Sequence, residues 1–164
     1  AVGSWSVSTA GEVSEDEIKQ SLAELAPADR ALAEVQRYCP VLESQRLGSM
    51  GAPVKLMIEG KPVFLCCAAC NKKALANRAE TVAKVNKLTK IGATLAKLPA
   101  EDRAAAEAQR FCAVMAKSPL GSMGAPVKLM IDGQSVFICC EGCRDAALEN
   151  PRATLAKVKQ PSTN

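Results

Sequence analysis

All eight cysteines of the chain fall into one pattern written twice: Cys39, Cys66-Cys67, Cys70, then Cys112, Cys139-Cys140, Cys143. In each copy 26 residues separate the first cysteine from the adjacent pair. The strings Cys66-Cys67-Ala68-Ala69-Cys70 and Cys139-Cys140-Glu141-Gly142-Cys143 read as a strand end running into a helix start. Free N–H groups and the macrodipole at a helix N-terminus favour the thiolate, the form that binds metals. Three or four thiolates drawn together, with no carboxylate or imidazole among them, make a soft, roughly tetrahedral site. Such a site suits Zn²⁺ or Cu(I) and disfavours Mg²⁺ or Ca²⁺. The expectation is one ion per copy and two per chain, with the ligands drawn from Cys39, Cys66, Cys67, Cys70, Cys112, Cys139, Cys140 and Cys143.

The chain contains no histidine. That removes the mixed Cys/His zinc classes, the Cys-His and Ser-His pairings of nucleophilic catalysis, and the haem attachment motif. An enzyme is therefore not expected. Met50 and Met123, in the loop between first and second cysteines, are candidate thioether donors to Cu(I), or flexible fillers packed over the site. Lys72, Lys73 and Arg144 could offset thiolate charge, or simply form a solvated helix face.

The elements that must position these sulfurs also come in duplicate. Cys39, Cys66 and Cys70 recur at an offset of 73 as Cys112, Cys139 and Cys143, with no gap in register. The stretch Leu47–Ile58 returns letter for letter as Leu120–Ile131, which marks duplication. Ser14 and Glu17 form a capping box that opens a helix with Ile18, Leu22 and Leu25 on one face. Pro27 and Pro99 suit the first turn of second helices, expected to run to Tyr38 and Phe111 and so deliver the first cysteine. Val54, Leu56 and Ile58 alternate with Lys55, Met57 and Glu59 as a strand, Gly60 and Gly133 mark tight turns, and Pro62–Leu65 and Ser135–Ile138 are return strands. Helices follow from about Ala68 and Glu141. Asn150-Pro151 breaks the second before a last helix through Val158, and residues 87–97 read as a helical link.

The fold class is therefore α+β: a disordered start at 1–13, a metal-binding repeat over 14–88, a second over 95–159, and a tail at 160–164. Each repeat is barely 70 residues long, a size at which a core supplies roughly 3–5 kcal/mol and a metal or disulfide usually helps. Although 48% of residues are hydrophobic, much of that is alanine, and the only aromatics are Trp5, Tyr38, Phe64, Phe111 and Phe137. A structural zinc site contributes on the order of 10–16 kcal/mol of apparent binding free energy, more than such thin cores can offer. The net charge of +4 is spread over interleaved acids and bases, which gives no reason to expect nucleic acid as a partner. No apolar run reaches the ~20 residues of a membrane span. A start at Ala1 instead of methionine fits a trimmed product, exported or periplasmic.

At the cysteines the sequence resembles the TRASH/YHS-like group of treble-clef metal-binding domains. The matching elements are Cys39-Pro40-Val41, a hairpin closing on Phe-x-Cys-Cys-x-x-Cys (Phe64 to Cys70, Phe137 to Cys143), and Asn150-Pro151. The likeness covers roughly residues 37–87 and 110–159. It implies two tandem treble-clef-like modules and heavy-metal handling in bacteria, with ligands Cys39, Cys66 and Cys70 and, in the second copy, Cys112, Cys139 and Cys143. The chain departs from the group in its longer gap, in Ala113 where the first copy has Pro40, and in Cys67 and Cys140. Each extra cysteine either completes a four-thiolate site or is a bystander.

The function so implied is non-catalytic binding of zinc or copper(I) for sensing, trafficking or sequestration, with a protein partner for metal delivery as a further possibility. Three alternatives stand beside it. Cys67-x-x-Cys70 and Cys140-x-x-Cys143 mimic the redox pair of a thiol–disulfide oxidoreductase, although no larger βαβ unit precedes Cys67. Four cysteines per copy would also allow a disulfide-stapled scaffold. A closed structural zinc would serve an interaction module.

Overall fold

The computed structural model describes residues 13–159; of the expected loose ends at 1–13 and 160–164, all but Val13 lie outside the described residues. Among the described residues the architecture is mixed: seven α-helices and two small antiparallel hairpins, an α+β fold. Ser14 caps α1 (Glu15–Ala23) through the expected reciprocal box, its Oγ accepting from the Glu17 N–H at 3.2 Å while Glu17 Oε2 accepts from the Ser14 N–H at 2.9 Å. This helix buries Ile18 and Leu22. Pro27 opens α2 (Pro27–Gln36), where its fixed φ and missing N–H cost nothing.

The second helices stop earlier than their apolar pattern suggests, at Gln36 and, for α5 (Ala100–Gln109), at Gln109. Arg37 and Arg110 take left-handed backbone angles (φ 63° and 64°), which end the helical hydrogen-bond ladder. The chain then turns back on itself: Leu47 N–H donates to Arg37 O at 2.8 Å, and Leu120 N–H to Arg110 O at 2.9 Å. The first cysteine of each repeat therefore rides on this turn, three residues beyond the helix.

Hairpin β1 (Val54–Ile58) and β2 (Lys61–Leu65) pairs Val54 with Leu65 and Ile58 with Lys61; β3 (Val127–Ile131) and β4 (Gln134–Ile138) pair Val127 with Ile138 and Ile131 with Gln134. Glu59-Gly60 and Asp132-Gly133 make the two-residue connections, all four with positive φ, as a turn matched to strand twist requires. Val63, Phe64 and Leu65, and Val136, Phe137 and Ile138, are fully buried. After the cysteines come α3 (Cys70–Ala76) and, in the second repeat, a short 3-10 turn over Glu141–Cys143 leading into α6 (Arg144–Glu149) and α7 (Pro151–Lys159).

The two repeats share one helix. In α4 (Arg78–Leu95) the first half closes repeat 1, with Val82 and Val85 in its core and Thr81 Oγ1 donating to Ala74 O at 3.2 Å. Thr154 Oγ1 donates to Ala147 O at 3.0 Å in α7, the matching position of repeat 2. The second half of α4 opens repeat 2: Ile91 and Leu95 pack in its core as Ile18 and Leu22 do in repeat 1. The backbones meet closely there, since a Cβ on Gly48 would lie 3.0 Å from Ile18 O and one on Gly121 3.1 Å from Ile91 O. Across the seam Arg37 pairs with Glu107 at 2.7 Å, and the Arg110 guanidinium stacks 4.1 Å from the Tyr38 ring centroid.

Candidate metal centres

Each site is assembled from a turn, a strand end and a helix start, held together by one glutamine. The Gln36 side chain, 2% exposed, donates to Phe64 O at 2.6 Å and to Tyr38 O at 3.0 Å, and accepts from Phe64 N–H at 3.0 Å. It thereby acts as one more residue of strand along the free edge of β2, and it ties the turn bearing Cys39 to the strand that ends in Cys66. Gln109 repeats all three bonds, to Phe137 O at 2.5 Å, Phe111 O at 2.8 Å and from Phe137 N–H at 2.8 Å. Both glutamines belong to the duplicated stretch, Gln36-Arg37-Tyr38-Cys39 and Gln109-Arg110-Phe111-Cys112; a polar residue kept two positions before an aromatic–cysteine pair in both copies is the only signal they leave in the sequence.

The sulfurs meet as the spacing implied. Cys39, Cys66 and Cys70 form one buried group and Cys112, Cys139 and Cys143 another, the sulfurs in each lying within 4.8 Å of one another. Each triad could hold a metal ion. In repeat 1 the Sγ separations are 3.7 Å for Cys66–Cys70 and 3.9 Å for Cys39–Cys70; in repeat 2 Cys139–Cys143 is 3.7 Å. A tetrahedral ion with metal–sulfur bonds of about 2.3 Å places its ligands about 3.8 Å apart. A disulfide needs about 2.05 Å, and all eight cysteines are free thiols in the structure.

The fourth cysteines stand at the rim. Cys67 is half-buried, 4.0 Å from Cys66 and 3.8 Å from Cys70 by sulfur, and lies outside the closely grouped triad. Cys140 is likewise half-buried, its sulfur 3.9 Å from that of Cys139.

Electrostatics separate these thiols. Burial, reinforced by the neighbouring Cys39 and Cys70 sulfurs, pushes the Cys66 thiol far up, and burial with the nearby Cys39 charge pushes Cys70 up to about 11. Burial raises Cys139 and Cys143 in the same way. At these positions desolvation outweighs the helix-end effect expected from sequence. Cys67 goes the other way: loss of water acts upward, but bonds from the Cys70 thiol and the Cys70 and Ala69 N–H groups outweigh it and lower its pKa. For Cys112, too, burial acts upward and is outweighed, here by the N–H groups of Met115, Cys139 and Val114. Two of these bonds are explicit: Met115 N–H to Cys112 Sγ at 3.4 Å and Cys139 N–H to the same sulfur at 3.3 Å.

The methionines singled out from sequence are not packed over the sulfurs: Met50 and Met123 are 56% and 59% exposed. Instead Met115 brings its thioether to 3.9 Å from Cys139 Sγ. Lys72 and Lys73 are exposed, and Arg144 is engaged by Glu141 at 2.6 and 2.9 Å on the surface. No helix among the described residues is long and apolar enough to cross a membrane. Comparison with known proteins finds no family model, no curated protein and no solved structure that matches this chain.

Proposed function

We propose that this chain binds soft metal ions, zinc or copper(I), at one thiolate site per repeat, and that it works by holding and passing on those ions, not by catalysis. The observation that carries the reading is the sulfur geometry: two buried triads whose measured edges of 3.7–3.9 Å match a coordination tetrahedron. The thin cores add weight, because ligand-driven folding energy is what modules of this size lack. The turn, hairpin and helix around each triad are compatible with the treble-clef modules of the TRASH/YHS-like resemblance, and so with sensing, trafficking or sequestration. In this reading Cys67 and Cys140 complete the sites from the rim. Their half-exposure leaves each site a displaceable ligand on its open side, where an incoming chelate or partner thiolate can bond to the ion as the rim thiolate leaves, which a fully enclosed site would not allow.

A purely structural zinc is the second reading, favoured by the burial of the triads, whose cysteines are 0–6% exposed. Exchange kinetics separate the two. Zinc-loaded protein is challenged with a mild chromophoric chelator: release within minutes, faster still in Cys67→Ser and Cys140→Ser because the rim thiolate is gone, supports handling, whereas retention for days supports a staple. Alanine at Cys39 or Cys70 is expected to abolish the ion of repeat 1. Unchanged metal content in either variant refutes the ligand assignment.

A further inference from the structure

Two copies that agree this closely make their differences informative, and one difference sits at the sulfurs. Position 42 of repeat 1 is Leu42, while the matching position of repeat 2 is Met115. Met115 is anchored to its site through the backbone, its N–H donating to Cys112 Sγ at 3.4 Å. Its side chain places the thioether sulfur 3.9 Å from Cys139 Sγ, the same separation that divides Cys139 from Cys140. Leu42 has no donor atom to offer, so repeat 1 holds cysteine sulfur alone.

We propose that Met115 is a thioether ligand that takes the fourth position from the rim Cys140 when copper(I) is bound and so makes repeat 2 the copper(I)-selective site, leaving repeat 1, with Leu42 in its place, as the zinc-preferring one. The inference rests on the metal-binding reading above. Zinc sites are built from thiolate, imidazole and carboxylate, whereas a neutral, polarisable thioether pairs with the softer Cu(I). Charge works in the same direction. A monovalent ion compensates less thiolate charge than a divalent one, so a neutral additional donor costs a copper(I) site less than another thiolate does. The exposure of Met115, 47%, is that of a residue on a site's outer wall, where it can swing toward an ion without unpacking the core.

The test uses the full chain, reduced and free of oxygen, with three sequences: wild type, Met115→Leu and Leu42→Met. Each substitution installs the residue found at the matching position of the other repeat, so the fold is retained. Cu(I) is titrated against a bicinchoninate competitor and Zn²⁺ against a chromophoric chelator. Wild type is expected to show two unequal Cu(I) steps. Met115→Leu weakens the tighter one by about 10–100-fold, the scale of losing a group that tunes a metal site, with both zinc affinities retained; Leu42→Met tightens the weaker step. In wild-type protein carrying selenomethionine, selenium-edge absorption of the copper-loaded form is expected to show copper at bonding distance from selenium. Equal copper affinities in wild type and Met115→Leu, or a parallel loss of zinc, overturn the inference while leaving two metal sites standing. Absence of copper near selenium does the same. Failure of wild type to take up either ion overturns both this inference and the reading beneath it.

Discussion

Replacing Gln36 with leucine should collapse repeat 1 although no cysteine is touched. Leucine keeps most of the buried volume but strands the N–H and C=O of Phe64, itself 1% exposed, and removes the partner of Tyr38 O. An orphaned buried polar group costs about 1–3 kcal/mol, so two of them cost about 2–6 kcal/mol, less a small return for the apolar side chain. That matches the roughly 3–5 kcal/mol a core of this size supplies. Urea unfolding of the reduced, metal-free chain, followed by far-UV circular dichroism, is the assay. For an m-value of about 1–3 kcal/mol/M, a loss of 3 kcal/mol lowers the midpoint by about 1–3 M. Zinc affinity of repeat 1 should fall with it, because folding and binding are linked there. Gln109→Leu is the internal comparison: Gln109 is only part-buried, so water can replace some of its bonds and the loss should be smaller. If Gln36→Leu left both the midpoint and the zinc affinity unchanged, the clamp would not be what joins the turn to the strand.

Gly92→Ala gains about 1 kcal/mol of helix propensity yet should destabilise the chain, since a Cβ there would lie 2.1 Å from Val35 O and force α4 off α2; a rise in melting temperature would refute that packing. Glu107→Gln unpairs Arg37 at the seam, where the two side chains are 13% and 16% exposed, together with Arg103 on the same helix, and should cost about 1–3 kcal/mol and separate the unfolding of the repeats, visible as a broadened calorimetric transition. The metal-free protein should lose stability as pH rises above about 9. The Cys66, Cys70, Cys139 and Cys143 thiols stay protonated in the folded chain, Cys70 up to about 11, while the unfolded chain ionises at its ordinary value of 9.0 and is favoured between the two; the lowered Cys67 and Cys112 pull the other way but are outnumbered. With zinc bound the slope should reverse below that pH, because binding releases thiol protons; parallel slopes in urea melts of the two forms would contradict the assignment of these thiols as ligands.

Much of this fold was legible residue by residue. Ser14 with Glu17, and the apolar alternation of Val54, Leu56 and Ile58, each carry a local physical cause that the structure preserves. What escaped notice was conformational or long-range. The second helices end early because Arg37 and Arg110 adopt positive φ, a choice that arginine does not advertise as glycine or asparagine would. The helix break before α4 was hidden because Asn77 lacks the following proline of Asn150-Pro151, yet its backbone (φ −124°, ψ 55°) nearly matches that of Asn150 (φ −129°, ψ 69°). At the sites, the repeat alone gathered four cysteines per copy, and the choice of three of them as a triad was what the resemblance implied. The Gln36 clamp could not be read there, since its partners lie 28 residues away in backbone atoms that no side-chain pattern encodes. Met115 was visible only as a mismatch with Leu42, which gains meaning once its sulfur is seen beside Cys139.

The most direct test counts ions and thiols in the same molecules. Protein is purified anaerobically without added metal, loaded with a small excess of zinc, and measured by native and then denaturing mass spectrometry, with zinc-edge absorption for the first shell. The expected result is two ions per chain, all eight cysteines reduced, and a shell of sulfur at about 2.3 Å. A folded chain carrying no ion, or cysteines recovered as disulfides within each repeat, would contradict it.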